Sequence, residues 1–391
     1  MFIDNISIYH GRFDRSQPRY GKGWYITVVE IEAEGMSGFG EAGVTYSPVA
    51  SSVPIVAEKL AHSVLLGADP MRNIRLWEAM AGSVDGCYHG GSIGFSAVSA
   101  CDVALWDLKG KLLGQPVYNL LGGACRDHLR AYANGWCYDC PKPEDYVKAA
   151  RRVVDAGYTA MKFDPWRYDE GGFKEHPQPE GNLSRRWMRI AEERMAVVRE
   201  AVGPEIDLIL EAHGKFSPSL AIEVGRRAAE YDFLYYEEPT QSYDPKVMRR
   251  IADQQPIPVA TGERIVRMDE FRGYCDERAM VLAQPDVGVC GGITATKRMA
   301  DYANHFRIGF QPHNSALGLN TAAAYQLCAA LPNFVIQETF PFRPDDWYTL
   351  LDDPYEKRIT NGYLPIPSDH GLGVTVNRDW LDRFECIRVG N

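Results

Sequence analysis

The chain has 391 residues, 45% of them hydrophobic and 24% charged, with a formal net charge of −10. This length suits one large domain plus an accessory one with a sizeable core, and the balance is that of a soluble globular protein. The negative charge leaves no basic surface to neutralise phosphates, so no nucleic-acid partner is expected; an anionic substrate would need a local positive charge, which a bound cation can supply. No apolar run reaches the roughly 20 residues that span a bilayer, so no membrane partner is expected either. Met1-Phe2-Ile3-Asp4-Asn5 lacks the basic-then-apolar pattern of a signal peptide, which points to a cytoplasmic protein. Nine scattered cysteines fit reduced thiols better than a disulfide framework. Cys137 and Cys140 form a lone C-x-x-C, and without a second pair nearby, buried thiols are favoured over zinc binding.

Along the chain, residues 26–32 alternate and are β-branched, the pattern of a strand. The glycines of Gly35-Met36-Ser37-Gly38-Phe39-Gly40 mark a turn to a further strand. Residues 52–122 read as helical; within them 96–113 carries apolar residues at helical spacing and Gly114-Gln115-Pro116 stops it. Strands followed by a block of helices predict an α+β unit. From about residue 129 the pattern becomes alternating. Short apolar runs at 129–133, 159–163, 206–210, 233–236, 258–260, 280–283, 308–310 and 334–336 are strand candidates, and 144–156, 187–202, 219–231 and 293–305 are helical stretches between them. Eight βα units in about 210 residues are what a closed parallel (β/α)8 barrel requires. A doubly wound open sheet is the alternative, lowered by the absence of any G-x-G-x-x-G after a strand candidate. The Pro- and Gly-rich tail from about residue 345 is expected to pack back on the first unit.

Three glutamates stand at or just past the ends of successive strand candidates. Glu211 is followed after 26 residues by Glu237 and after 26 more by Glu263. One βα unit has that length, so the three carboxylates are expected on neighbouring strands at the C-terminal face, where barrel enzymes keep their active sites. Converging carboxylates need a cation, and hard oxygen ligands suit Mg²⁺; singly, each Glu reads equally well as a capping or surface residue. His213 lies two residues beyond Glu211, and alternation along an extended segment would turn both side chains to one face. His313 follows the seventh strand candidate and Asp286 the sixth, and a carboxylate beside an imidazole fixes its tautomer and raises its basicity. Glu338 follows the eighth and reads either as a hydrogen-bonding partner of substrate or as half of an ion pair with an Arg. Lys162 ends the second, placed either to hold a substrate carboxylate or to form a rim salt bridge. Residues 166–182 form a long insertion with Trp166, Arg167, Tyr168 and His176, suited to a lid over a polar ligand or to a loop without fixed structure.

With these residues in view, the chain resembles the enolase superfamily in its mandelate racemase branch over nearly its whole length. The resemblance is carried by Ala104-Leu105-Trp106-Asp107-Leu108-Lys109-Gly110-Lys111, Leu120-Leu121-Gly122-Gly123, Glu237-Glu238-Pro239, Gly262-Glu263-Arg264, Gln284-Pro285-Asp286, Gly291-Gly292-Ile293-Thr294 and Gly371-Leu372-Gly373-Val374. It implies a modified TIM barrel at 126–345 beneath an α+β capping domain built from 1–125 and completed by 346–391. It implies Mg²⁺ at Glu211, Glu237 and Glu263, and a His313–Asp286 general base. Glu211-Ala212-His213-Gly214 and Tyr88-His89-Gly90-Gly91 are most similar to galactonate dehydratase-type acid-sugar dehydratases. That likeness implies His213 as the general acid for a departing hydroxyl, a small sugar acid as substrate, an aldonate or aldarate, and a homo-oligomer. The sequence departs from the branch in Glu211, where Asp is usual, and in Asp164, where many members carry a second basic residue two positions past Lys162. The latter weakens a two-base racemase reading. An epimerase or lactone cycloisomerase using the same enediolate remains the alternative to a dehydratase. Substrate selection is expected from residues 9–20 and from the 166–182 insertion.

Overall fold

The computed structural model describes residues 1–13, 24–45, 49–85, 90–167, 183–241 and 244–390. The chain opens with an antiparallel meander of β1 (Asn5–Phe13), β2 (Trp24–Ala33) and β3 (Met36–Glu41). Glu34 and Gly35 make the β2–β3 turn, both at positive φ (53° and 74°), the hairpin geometry whose twist matches that of its strands. Gly38 and Gly40, expected in the turn, lie inside β3 instead. The cause is a helix pressed on the strand. After α1 (Val53–Leu60) and α2 (Asn73–Asp85), α3 (Gly91–Leu113) crosses β3 so closely that a Cβ on Gly38 would overlap the Ala104 carbonyl, and one on Gly40 that of Ala100. From Gly94 to Leu108 every residue of α3 is buried, as befits a helix covered on all sides.

After the one-turn α4 (Val117–Leu120), eight parallel strands follow: β4 (His128–Ala133), β5 (Ala160–Phe163), β6 (Asp207–Glu211), β7 (Phe233–Glu237), β8 (Val259–Thr261), β9 (Leu282–Ala283), β10 (Gly309–Phe310) and β11 (Gln337–Thr339). They are ordered β10-β9-β8-β7-β6-β5-β4-β11. Phe310 joins the two ends, accepting from Val335 N (3.0 Å) and donating to Asn333 O (2.8 Å). The helices between the strands are α5 (Pro143–Asp155), α6 (Arg185–Val202), α7 (Pro218–Ala228), α8 (Pro245–Gln254), α9 (Met268–Asp276), α10 (Gly292–His305) and α11 (Leu319–Ala329). Local signals start several of them. Ser184, Ser217 and Asp244 cap α6, α7 and α8 by accepting backbone N–H bonds, and α7 and α8 begin with Pro.

Two barrel expectations are corrected. The eighth strand is not 334–336. The backbone of residues 333–335 meets Phe310 in an isolated bridge, and the ladder with β4 runs from Gln337↔Ala131 to Thr339↔Ala133, so Glu338 lies within a strand rather than after one. The eighth helix is also missing. Pro341 and Pro344 follow β11, and proline cannot sit in a helix interior; the chain makes only a 3-10 turn at Asp345–Tyr348 and the one-turn α12 (Tyr355–Arg358). Then β12 (Tyr363–Pro365) pairs antiparallel with β4, and after α13 (Arg378–Leu381) the last strand, β13 (Glu385–Gly390), pairs with β1 from Asn5↔Gly390 to His10↔Glu385. No helix among the described residues is long and apolar enough to cross a membrane.

Helix α3 fastens the sheet to the barrel. Ser99 Oγ accepts from Gly291 N and Gly292 N (2.9 and 3.0 Å), and Asp102 Oδ2 accepts from Thr294 N (2.8 Å), so two side chains satisfy the free N–H groups at the start of α10. Gly43 N also donates to Gly288 O (2.8 Å). Asp107, in the same helix, accepts from Phe39 N (2.9 Å) of β3, from Lys111 Nζ (2.7 Å) and from Leu372 N (2.8 Å) of the C-terminal segment. Asp107→Ala strands two buried N–H groups and removes one of the two acceptors of the Lys111 ammonium, which keeps Ser37 O (2.9 Å). Each such loss costs about 1–3 kcal/mol, so unfolding by urea should show a stability lower by about 3 kcal/mol. A loss below about 1 kcal/mol would show that the three bonds do not hold these segments together.

Candidate active site

The barrel interior is built in layers two residues apart along the strands. Tyr132, Ala160, Ile209, Tyr235, Ala260, Leu282 and Ile336 form an apolar floor, almost one residue per strand. Two residues further on come Asn134, Lys162, Glu211, Glu237, Gly262, Gln284 and Glu338, a polar layer facing the C-terminal mouth. Strand periodicity alone thus converts an apolar plug into a charged site.

Glu211 and Glu237 of this layer, and Glu263 one residue past Gly262, each offer a carboxylate oxygen, all within 4.8 Å of one another. Lys162 Nζ is buried at the centre, 3.0 Å from Glu211 Oε2, 2.5 Å from Glu237 Oε1 and 3.0 Å from Glu338 Oε1. Lys162 is thus not a rim salt bridge but a buried ammonium shared by three glutamates. Glu338 is fully buried; Asn134 Nδ2 (2.7 Å) and Asn314 N (2.8 Å) donate to its two oxygens, so its partners are a lysine and two amides, not an arginine. Glu237 Oε2 accepts from Gln284 Nε2 (2.7 Å).

The charges do not balance by themselves. Fully ionised, Glu211, Glu237, Glu263 and Glu338 would carry four negative charges, and Lys162 and a protonated His313 would offset only two. Burial, and then the charge of Glu211, push the Glu237 carboxyl well above the ordinary range despite Lys162. Burial and the Glu263 charge likewise push Glu238 up to about 8, although Arg264 Nε donates to it at 2.8 Å. Glu211 goes the other way: burial opposes its charge, but His213, Lys162 and the His213 N–H (2.7 Å) hold it down to about 2. A divalent cation among the triad fits this donor set, because it supplies the missing positive charge to hard oxygen ligands.

A histidine flanks the triad at each end. His313 Nδ1–H donates to Asp286 Oδ2 (2.7 Å), and its Nε2 lies 3.5 Å from Glu263 Oε2. Asp286 is itself held by Gly288 N (2.7 Å). Burial disfavours charge on His313, but Glu263, the Asp286 bond and Glu338 raise it to about 10. At the other end His213 Nδ1 lies 3.2 Å from Asp164 Oδ2 and 3.7 Å from Glu211 Oε1. The extended geometry expected for His213 is not found. Its φ is 49°, because Ala212 N bonds Glu237 O (3.1 Å) and Gly214 N bonds Glu238 O (2.8 Å), tying this turn to the end of β7. The imidazole reaches Glu211 through the turn rather than through strand alternation.

All eight residues singled out from sequence gather here. Asp164, Lys215, Asn134, Asn314, Gln284 and Glu238 also belong to the site but were not assigned roles. Glu238 and Gln284 sit inside quoted motifs, and Asn134 and Lys215 stand just past strand ends, so a search of strand-end polar residues would have found them. Trp166 is no lid residue: it is fully buried, edge-on to Phe216 with ring centroids 4.8 Å apart. Arg167 stacks 3.5 Å over the Tyr138 ring. The rest of the insertion, Tyr168 and His176 included, lies outside the described residues, as do Tyr88, His89 and 14–20 of the capping segment. Cys137 and Cys140 are buried thiols pushed upward by burial.

The fold and this mouth define a barrel enzyme with an acidic, metal-competent site. Residues 22–122 match the mandelate racemase / muconate lactonizing enzyme N-terminal domain, and 145–380 match the enolase C-terminal domain-like family. The chain belongs to the mandelate racemase / muconate lactonizing enzyme family of the enolase superfamily. It is 35% identical over 292 residues to a D-gluconate/D-galactonate dehydratase of Picrophilus torridus, covering 74% of this chain and 71% of that protein. It is 32% identical over 387 residues to a D-galactonate dehydratase of Xanthomonas oryzae pv. oryzae, covering 98% and 94%. A solved member of the enolase superfamily from Salmonella Typhimurium superposes with a TM-score of 0.91 at 33% identity over 99% of each chain.

The raised groups give the cation-free protein a definite pH dependence. Glu237, Glu238 and His313 keep protons when folded that they release when unfolded. Their contribution is therefore present at low pH and is lost as pH rises, through about 8 for Glu238 and about 10 for His313. In EDTA, stability should fall as pH rises from 6 to 9. Added Mg²⁺ should raise the melting temperature, more at pH 9 than at pH 6, and much less in Glu237→Gln. A Mg²⁺ shift independent of both pH and Glu237 would rule out this cluster as the ion's site.

Proposed function

We propose that this chain is a Mg²⁺-dependent hydro-lyase that converts a sugar acid, an aldonate or aldarate, to its 2-keto-3-deoxy acid. The observation that carries the reading is the carboxylate triad flanked by two histidines, each beside a different member. The curated relatives, dehydratases of D-gluconate and D-galactonate by name, favour an aldonate. Glu211, Glu237 and Glu263 would hold the ion, which when bound supplies positive charge to the substrate carboxylate and lowers the cost of ionising the adjacent C–H bond.

The chain's own groups divide the rest. His313 takes the C2 proton at Nε2; Asp286 fixes the Nδ1–H tautomer and favours the resulting imidazolium. Lys162 and Glu338 hold the carboxylate end of the substrate as charge moves onto it. His213 gives a proton to the C3 hydroxyl. The C3–O bond breaks with its electron pair leaving as water, and the pair left at C2 forms the C2–C3 double bond. The enol then becomes the 2-keto acid by taking a proton at C3 and releasing the proton of its C2 hydroxyl, so no oxidant or reductant is needed. Isomerisation by two bases is less well supported. The side chain two positions past Lys162 is Asp164, paired with Lys215, and Lys162 is itself held as an ammonium by three carboxylates. Cytoplasmic location and homo-oligomerisation remain part of the proposal.

D-gluconate and D-galactonate incubated with Mg²⁺ should yield 2-keto-3-deoxy acid and water, and EDTA should stop the reaction reversibly. His313→Asn should lose both dehydration and C2–H exchange in D₂O, each by about 10²–10⁴-fold. His213→Asn should lose dehydration by a similar factor and keep the exchange. An epimer or lactone as sole product of an acid-sugar panel, or full dehydratase activity in either variant, overturns the assignment.

A further inference from the structure

Asp164 occupies a position the proposed chemistry does not use, yet it is among the most heavily engaged side chains of the site. It lies just past β5 and is buried. Its Oδ1 accepts from Trp166 N (2.9 Å). Its Oδ2 takes both the Lys215 ammonium, in a very short contact, and His213 Nδ1 at 3.2 Å. Lys215 is buried as well, and its backbone is fixed by Lys215 N to Ala212 O (3.1 Å) and by a bridge to Thr240. A carboxylate held on both oxygens is restrained from swinging away from the imidazole, and removing either member of the buried Asp164–Lys215 pair would leave the other charge unpaired.

We infer that Asp164, locked by Lys215, is a positioning residue that sets the orientation and tautomer of His213. A carboxylate only accepts, so Nδ1 must carry a proton. Under the dehydratase reading, the proton given to the leaving hydroxyl then comes from Nε2 of the doubly protonated ring, which returns to the Nδ1–H tautomer. The arrangement parallels Asp286 and His313 at the far end of the triad, with one difference. Each aspartate accepts a backbone N–H from two residues on, Gly288 N for Asp286 and Trp166 N for Asp164, but Asp164 also takes a neighbouring ammonium. The lysine partly neutralises Asp164, so the second dyad is suited to holding a ring rather than to strengthening a base. The role assigned to His213 rests on the dehydratase reading; its tautomer does not.

The test uses the full chain with Mg²⁺ and two readouts. In the first, ¹⁵N-histidine spectra report His213 directly, whatever substrate is turned over. Wild type should show a protonated Nδ1, and Asp164→Asn should show the Nε2–H tautomer gaining at its expense. An unchanged His213 signal overturns the inference. In the second, D-gluconate and D-galactonate are followed both for 2-keto-3-deoxy product and for C2–H exchange in D₂O. Asp164→Asn should lower dehydration by about 100-fold or more while leaving exchange within about threefold, since misorienting a catalytic group by an ångström has costs of that order. Lys215→Met should give the same split, weaker, and Lys215→Arg should restore most of the loss. A merely structural role would lower both rates together. Should Asp164→Asn fold poorly, Asp164→Glu keeps the charge and shifts it by one methylene, and the same split is expected. Equal losses, or none, in these variants overturn the inference. A wild-type chain that dehydrates no sugar acid overturns the proposed function instead and leaves the tautomer result to decide the positioning role.

Discussion

Like charges brought together out of water set the terms for the whole barrel mouth. Two unit charges 4 Å apart repel by about 4 kcal/mol in surroundings of intermediate polarity, and here Glu211, Glu237, Glu263 and Glu338 converge. The fold holds them there because the strands that carry them are fixed by a closed hydrogen-bonded ring. Lys162, Gln284, Asn134 and the backbone N–H groups of His213 and Asn314 offset part of the repulsion. What remains is an affinity for positive charge stored in the folded chain, and metal binding, proton uptake and stability are all expressions of it.

The two histidines show how one ring of strands can give the same side chain two different surroundings. His313 is buried, held by Asp286 and faced by Glu263 and Glu338. His213 is half-buried on a tight turn, tied to Asp164, whose charge is shared with Lys215. Each is oriented through Nδ1 by an aspartate. The difference lies in what supports each carboxylate, and that follows from which loop carries it.

The N-terminal sheet takes part in this chemistry at a distance. Helix α3 sits between the meander and the barrel, and Ser99 and Asp102 hold the start of α10. The loop running from Asp286 to Gly292 is therefore pinned at both ends, by the β9 ladder and by the capping helix, with Gly43 bonded to Gly288 between them. Asp286 can orient His313 reproducibly because a separate structural unit restrains its loop.

Much of this was written in the sequence. The strand and helix periods and glutamates spaced one βα unit apart are local or regular signals, and they sufficed to predict the barrel and the triad, while the family resemblance supplied the His313–Asp286 pair. What they could not supply was what meets across the ring. Lys162 and Glu237 are 75 residues apart in the chain, Asp164 and Lys215 are 51 apart, and no periodicity links them. The placement of Glu338 inside β11, the glycines buried under α3 and the left-handed turn at His213 were likewise decided by tertiary structure. Each answers to a neighbour distant in sequence: Phe310 for residues 333–335, Ala100 and Ala104 for the glycines, the end of β7 for the turn. Sequence patterning determined which face each side chain presents, because that depends only on the local backbone period. Closure of the barrel determined which of those faces came into contact, because that depends on the whole ring of strands at once.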